Sequence, residues 1–68
     1  MIDTILRAWR EKRGLTQVEA AAKIGCTQAT LSRWEAGLHA PSPDGLRKIA
    51  RAMRVSFGSL ERVMAGAR

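Results

Sequence analysis

The chain has one cysteine, one histidine, no tyrosine, and two Trp and one Phe as its aromatics. Cys26 has no partner for an internal disulfide and, at an inward position of the pattern described below, reads as an inert core residue. Cys26 and His39 are too few for a protein-only zinc site, which takes four ligands or three plus water, so no metal is expected and no cofactor is implied. No Cys–His–acid set has supporting motif context and no glycine-rich phosphate loop occurs, which leaves enzymatic function without a basis. No apolar run approaches the ~20 residues of a membrane span. The first residues, Met-Ile-Asp-Thr-Ile-Leu-Arg, lack the charged-then-apolar layout of a secretory signal, so a cytoplasmic, nucleoid-associated location is expected. Strand-like alternation, low-complexity stretches and internal repeats are absent as well. Acidic residues are scarce too: six Asp+Glu face twelve Lys+Arg, a formal charge of +6. That balance favours polyanions and makes nucleic acid the leading partner class, with a merely soluble basic surface as the alternative.

What is present is helical periodicity. Ile2, Ile5, Leu6 and Trp9 recur at steps of three and four, which predicts a first helix from an Asp3 cap to about Lys12, with Gly14 ending it. The cations Arg7, Arg10, Lys12 and Arg13 in its second half suit the negative end of the helix dipole. Ser42, Pro43 and Asp44 form a three-part start signal for a fourth helix, whose inward face is Leu46, Ile49, Ala50 and Met53 and whose outer side carries Arg47, Lys48, Arg51 and Arg54. A fifth helix follows Ser56, with Val55 and Leu60 at staple positions and Val63 and Met64 continuing the apolar side. The tail 65–68 should fray. Sixty-eight residues allow one domain with a thin core, 1–68.

The middle of the chain carries the sharpest signal. Thr16 with Glu19 reads as a capping box and Thr27 as a second N-cap. Between these starts, Ala21 is small enough for a close helix crossing and Gly25 tolerates a tight turn, as two short helices meeting at a steep angle require. Ala20, Ile24, Cys26, Leu31 and Trp34 face inward. The second of these helices then leaves Gln28, Ala29, Ser32 and Arg33 on the opposite face, where base edges would be met. This is the spacing of a helix-turn-helix over about 17–36.

From Leu6 to Leu60 the chain resembles the phage-repressor and Cro-like, or Xre, family of helix-turn-helix proteins. The resemblance is carried by Arg10, Gly14-Leu15-Thr16-Gln17, Ala21, Gly25, Leu31-Ser32-Arg33-Trp34-Glu35, Gly37 and Pro41, with Val55-Ser56 and Leu60 matching the family's fifth-helix entry. It implies an all-α fold: a compact five-helix bundle of the lambda-repressor-like type. It also implies that Gln17 opens the second helix and contacts phosphate with its backbone N–H aimed at DNA, and that Gln28 reads a base. Glutamine can indeed pair with adenine N6 and N7. Ala29 departs from repressors with a second glutamine there and can touch a thymine methyl. Arg33 has three readings: a guanine reader, a phosphate clamp, or a solvated surface arginine. Ser32 and Thr27 can each reach a base or a phosphate, Thr30 a phosphate, and capping alone also accounts for Thr27. Arg10 and Glu35 match the family's paired charges, a structural ion pair tying the first helix to the end of the recognition helix. His39, in the loop after that helix, can approach phosphate. Both tryptophans are expected in the core. Phe57 and Val55 are candidates for a dimer contact, with a local lid over the core as the other reading of Phe57.

These readings lead to a sequence-specific double-stranded DNA-binding transcriptional regulator of Cro or controller type, repressor or activator, dimeric on a palindromic operator. Two alternatives keep the same fold: an antitoxin-type regulator that also binds a protein, and a protein-interaction or coactivator module that does not read DNA. An uncharged or acidic recognition face would favour the last, whereas Gln28 and Arg33 favour DNA.

Overall fold

A computed structural model describes residues 2–65, with side chains through Arg62. It contains five helices among the described residues: α1 Ile2–Lys12, α2 Gln17–Ile24, α3 Gln28–Glu35, α4 Pro43–Met53 and α5 Phe57–Ala65. The expected inward positions Val63 and Met64 and the tail after Ala65 lie outside the described side chains.

Each start has a chemical reason. The Thr16 hydroxyl accepts from Glu19 N at 3.1 Å while the Glu19 carboxylate accepts from Thr16 N at 2.8 Å, closing the capping box. Thr27 Oγ1 accepts from Thr30 N, Ser42 Oγ from Gly45 N, and Ser56 Oγ from Ser59 N, all at 3.1–3.2 Å. The Thr16–Glu19 bonds hold the Glu19 carboxyl below its ordinary range. The first start differs from expectation. Helix α1 begins at Ile2, and Asp3 lies inside its first turn instead of capping it. An acid in that turn complements the dipole from within the helix, so the same sequence signal fits either position.

The stops are equally specific. Gly25, at φ +95°, turns the chain between α2 and α3, and Ala21 O accepts from both Gly25 N and Cys26 N at 2.8 and 3.0 Å. Helix α3 stops at Glu35, one residue before the expected bound, with Ala36 as its cap. Gly37 N then bonds Trp34 O and Leu38 N bonds Arg33 O, the pair of bonds that a left-handed residue after a helix permits. Helix α4 ends the same way without glycine. Arg54 sits at φ +59°, with Val55 N bonded to Ala50 O at 3.0 Å.

Helix α1 packs on α3, α2 on α3 and α4, and α4 on α5. Leu6, Leu31 and Ile49, from three different helices, are fully buried at the centre. Each removes a side chain from water, worth about 1.5–3 kcal/mol before conformational entropy is counted. Ile2, Ala20, Ala21, Ile24, Trp34, Leu46, Ala50 and Leu60 complete the buried set. Several expected core residues are less enclosed. Ile5, Trp9, Cys26 and Met53 are half-buried, and Val55, at the staple position before buried Leu60, is 42% exposed. Partial burial raises the Cys26 thiol above its ordinary range. Gly45 has a packing role that local pattern does not reveal: a Cβ there would stand 3.1 Å from Trp34 Cζ2 and 3.4 Å from Pro41 Cβ. The bare backbone at 45 lets the Trp34 indole approach α4 closely.

Candidate nucleic-acid interface

Helix α3 is anchored along one side and open along the other. Leu31, Trp34 and Glu35 are buried, whereas Gln28, Ala29, Ser32 and Arg33 are exposed. Their sequence positions account for this, since 31, 34 and 35 share one helical face and 28, 29, 32 and 33 the other. No acid stands in the first turn of α3.

The anchor is a polar cluster around the Glu35 carboxylate, whose residue is 4% exposed. Arg10 Nε donates to Oε2 at 2.7 Å and Arg10 Nη2 to Oε1 at 3.1 Å, a two-pronged ion pair between α1 and α3. Arg10 Nη1 reaches Leu15 O at 3.1 Å, in the connection to α2. Gln17 Nε2 donates to Oε1 of the same carboxylate at 3.1 Å, and Arg7 Nη2 donates to the Glu35 carbonyl at 2.8 Å. Desolvation pushes the Glu35 carboxyl up, but the hydrogen bonds from Arg10 and Gln17 and the charges of Arg10 and Arg7 more than offset it, leaving the group below its ordinary range. The hydrogen bond with Glu35 likewise holds the Arg10 guanidinium above its ordinary value. Three donors on the buried carboxylate and one on the Glu35 backbone carbonyl tie the end of α3 to α1 and α2.

At the other end of α3 the polar side chains are engaged with one another and remain accessible. Thr27 Oγ1, besides its capping bond, donates to Thr30 Oγ1 at 2.9 Å. Gln28 Nε2 points at Gln17 Oε1 at 3.5 Å, joining the starts of α2 and α3. The Gln17 side chain is therefore held between Glu35 and Gln28, while its backbone N–H belongs to the first turn of α2, where no intrahelical acceptor exists. Farther along, Thr30, Arg33 and His39 are brought together with Trp34, Ala40 and Ser42 around a shallow hollow beside α3.

Val55 and Phe57 lie at the α4–α5 junction. Val55 is 42% exposed, while Phe57 is half-buried against the core with the Arg47 guanidinium 4.9 Å above its ring. Trp9 has Arg13 over its ring at 5.8 Å and a buried Nε1 with no hydrogen-bond partner among the described residues. Sequence reasoning did not place Arg7 or the Gln17 amide on Glu35. The one signal in the chain was that both precede Glu35 in helices that must pack near its end.

Among the described residues no group of three or more His, Cys, Asp and Glu side chains could hold a metal ion. No described helix is long and apolar enough to cross a membrane.

Two short, capped helices joined at Gly25, with the second one presenting a polar outer face, define a helix-turn-helix protein, and the helix-turn-helix family model matches residues 6–60. The chain belongs to that family, in agreement with its Xre and Cro-like resemblance. It is also 40% identical over 50 residues to a protein of Methanothermobacter thermautotrophicus (strain Delta H) described as an uncharacterized HTH-type transcriptional regulator, a match that covers 74% of this chain and 72% of the relative. No solved structure matches the chain.

Proposed function

We propose that the chain is a sequence-specific double-stranded DNA-binding transcriptional regulator that seats α3 in the major groove. The observation that carries this reading is the division of α3 into a buried, charge-anchored side and an exposed side of Gln28, Ala29, Ser32 and Arg33. Gln28 reads adenine, Ala29 meets a thymine methyl, and Ser32 and Arg33 reach base edges. The backbone N–H of Gln17, the hydroxyls of Thr27 and Thr30, and His39 set the protein on phosphates. The hollow that gathers Thr30, Arg33 and His39 supports a phosphate contact beside the base-reading face. The family assignment and the description of the methanogen relative support the regulatory role.

One such module makes few base contacts, so a homodimer of Cro or controller type on a palindromic operator is the mode that supplies specificity, with two α3 helices about one DNA turn apart. The exposed Val55 and neighbouring Phe57 are the dimer contact in this reading. The protein acts in the cytoplasm, without cofactor or catalysis.

Selection from a randomised duplex library at near-physiological salt tests the proposal, because phosphate attraction alone enriches no sequence under those conditions. The expected result is a motif of two inverted half-sites. Absence of any enriched motif overturns sequence-specific binding, and a single unpaired half-site overturns the dimer.

A further inference from the structure

Helix α4 carries charge on a side that base reading does not use. Arg47, Lys48 and Arg51 are exposed along it, and Arg54, its left-handed cap, is exposed at its end. We infer that this cationic side of α4 is a second DNA surface, which grips the phosphate backbone of another duplex while α3 is seated on the operator, so that the protein bridges two DNA segments. The inference goes beyond the regulator reading proposed above and rests on its placing of α3.

Spacing makes the row. Residues 47, 51 and 54 are four and three apart and share one helical face, with Lys48 beside them. The opposite side, Gly45, Leu46, Ile49 and Ala50, is buried. From Arg47 to Arg54 the chain rises about 10 Å at helical pitch, a length over which one DNA strand presents about three phosphates. The only acid in α4 is Asp44. Its carboxylate stands 3.7 Å from Lys48 Nζ with both side chains exposed, a surface pair that contributes little and leaves this side of the helix positive.

Chemistry favours a polyanion over a protein as the occupant. A protein contact needs an apolar centre, with charge confined to the rim. The exposed positions of α4 are Pro43, Asp44, Arg47, Lys48 and Arg51, with no large apolar side chain among the cations, and exposed Val55 lies past the end of the row. DNA interfaces are polar and strongly positive, and a guanidinium matches phosphate oxygens in pairs.

Direction favours a second duplex over the first. The inward residues of α3 and α4 share one core, and Trp34 of α3 meets Gly45 in the first turn of α4. The outward residues of the two helices look away from that core on different sides, so a duplex lying along Gln28 and Arg33 leaves Arg51 and Arg54 to solvent.

The test immobilises an operator recovered by the library selection, loads it with protein, and measures retention of a labelled duplex that lacks half-sites. Lys48→Gln combined with Arg51→Gln should lower that retention about tenfold or more and flatten its salt slope by about 1.8, since each lost phosphate contact removes about 0.9. Operator affinity should change by less than about threefold, because at about 0.1 M salt charge is screened beyond about 10 Å. Lys12→Gln combined with Lys23→Gln removes the same charge from α1 and α2, and this control should still retain the second duplex. Four outcomes overturn the inference while the operator is still bound and the regulator reading stands. They are no retention by wild type, equal retention by the Lys48 and Arg51 variant, an equal loss in the control, and displacement by poly-glutamate more readily than by the same charge of duplex, which makes the face a protein-docking surface. Operator affinity that rises with flank length, and loses that rise in the Lys48 and Arg51 variant, places the face on the same duplex and overturns bridging as well. Failure of the selection to yield any operator overturns the regulator reading and the bridging that rests on it.

Discussion

The two ends of α3 are built on opposite principles. At its C-terminal end a buried acid takes donors from Arg10, Gln17 and, on its carbonyl, Arg7, all from other helices. At its N-terminal end Thr27 caps the helix locally and Gln28 and Ala29 stay exposed. The tertiary bonds at the C-terminal end set the angle of the helix, and the local cap at the N-terminal end leaves Gln28 and Ala29 accessible. The contrast shows how a short helical chain fixes the orientation of a surface without covering it.

Breaking the anchored end should have the largest effect. Glu35→Ala leaves Arg10 and Gln17 without their acceptor and removes a buried ion pair, an expected loss of about 3–5 kcal/mol. Thermal unfolding followed by circular dichroism measures it, and DNA binding should fall together with the fold. Unchanged helicity and melting temperature would refute the structural role. Acid is a graded form of the same break. Because Glu35 titrates below its ordinary value of 4.5 in the fold, its contribution is complete above that value and is lost as pH falls through the lower native one. Urea unfolding from about pH 6 to about pH 3 should show wild type losing stability more steeply than Glu35→Gln.

At the open end the effects should move from stability to recognition. Gln28→Ala should cost about 1–3 kcal/mol of discrimination at one base position while the melting temperature stays put. Binding titrations on single-substitution operators measure this, and an equal loss on every operator would make Gln28 a phosphate contact instead. Thr27→Ala should lower stability by about 1 kcal/mol by removing the cap, as measured by urea unfolding. The smallest effect is a control away from α3. Arg54→Gly relieves a left-handed residue that glycine adopts freely and should raise stability by about 0.5–1 kcal/mol on the same assay.

The legible parts of the molecule are those whose causes lie within a few residues. The Thr16–Glu19 box, the Thr27, Ser42 and Ser56 caps and the Gly25 turn are local bargains between a side chain and the nearest backbone, and each leaves a mark on the sequence. The inward stripe through Leu6, Leu31 and Ile49 is legible because periodicity reports a face. Gly45 was not, since its reason is the ring of Trp34, eleven positions earlier. The amide of Gln17 was not either: a half-buried glutamine can turn to solvent, phosphate or a carboxylate, and only the tertiary position of Glu35 decides. Val55 shows the converse limit, an apolar residue that the fold leaves 42% exposed. The exposed face of α3 was legible as a face, but the bonds that orient its members depend on where α1 and α2 bring Arg10 and Gln17.

The seat of Trp34 against Gly45 has an optical consequence. The indole joins α3 to α4 and also borders the hollow shared with Arg33 and His39, so its emission depends on how α3 sits on the rest of the chain. The protein has one other tryptophan, Trp9. Replacing Trp9 by Phe would leave Trp34 as a single native tryptophan on the buried side of α3. The molecule would then signal in solution, without an added label, how α3 is seated on the rest of the chain.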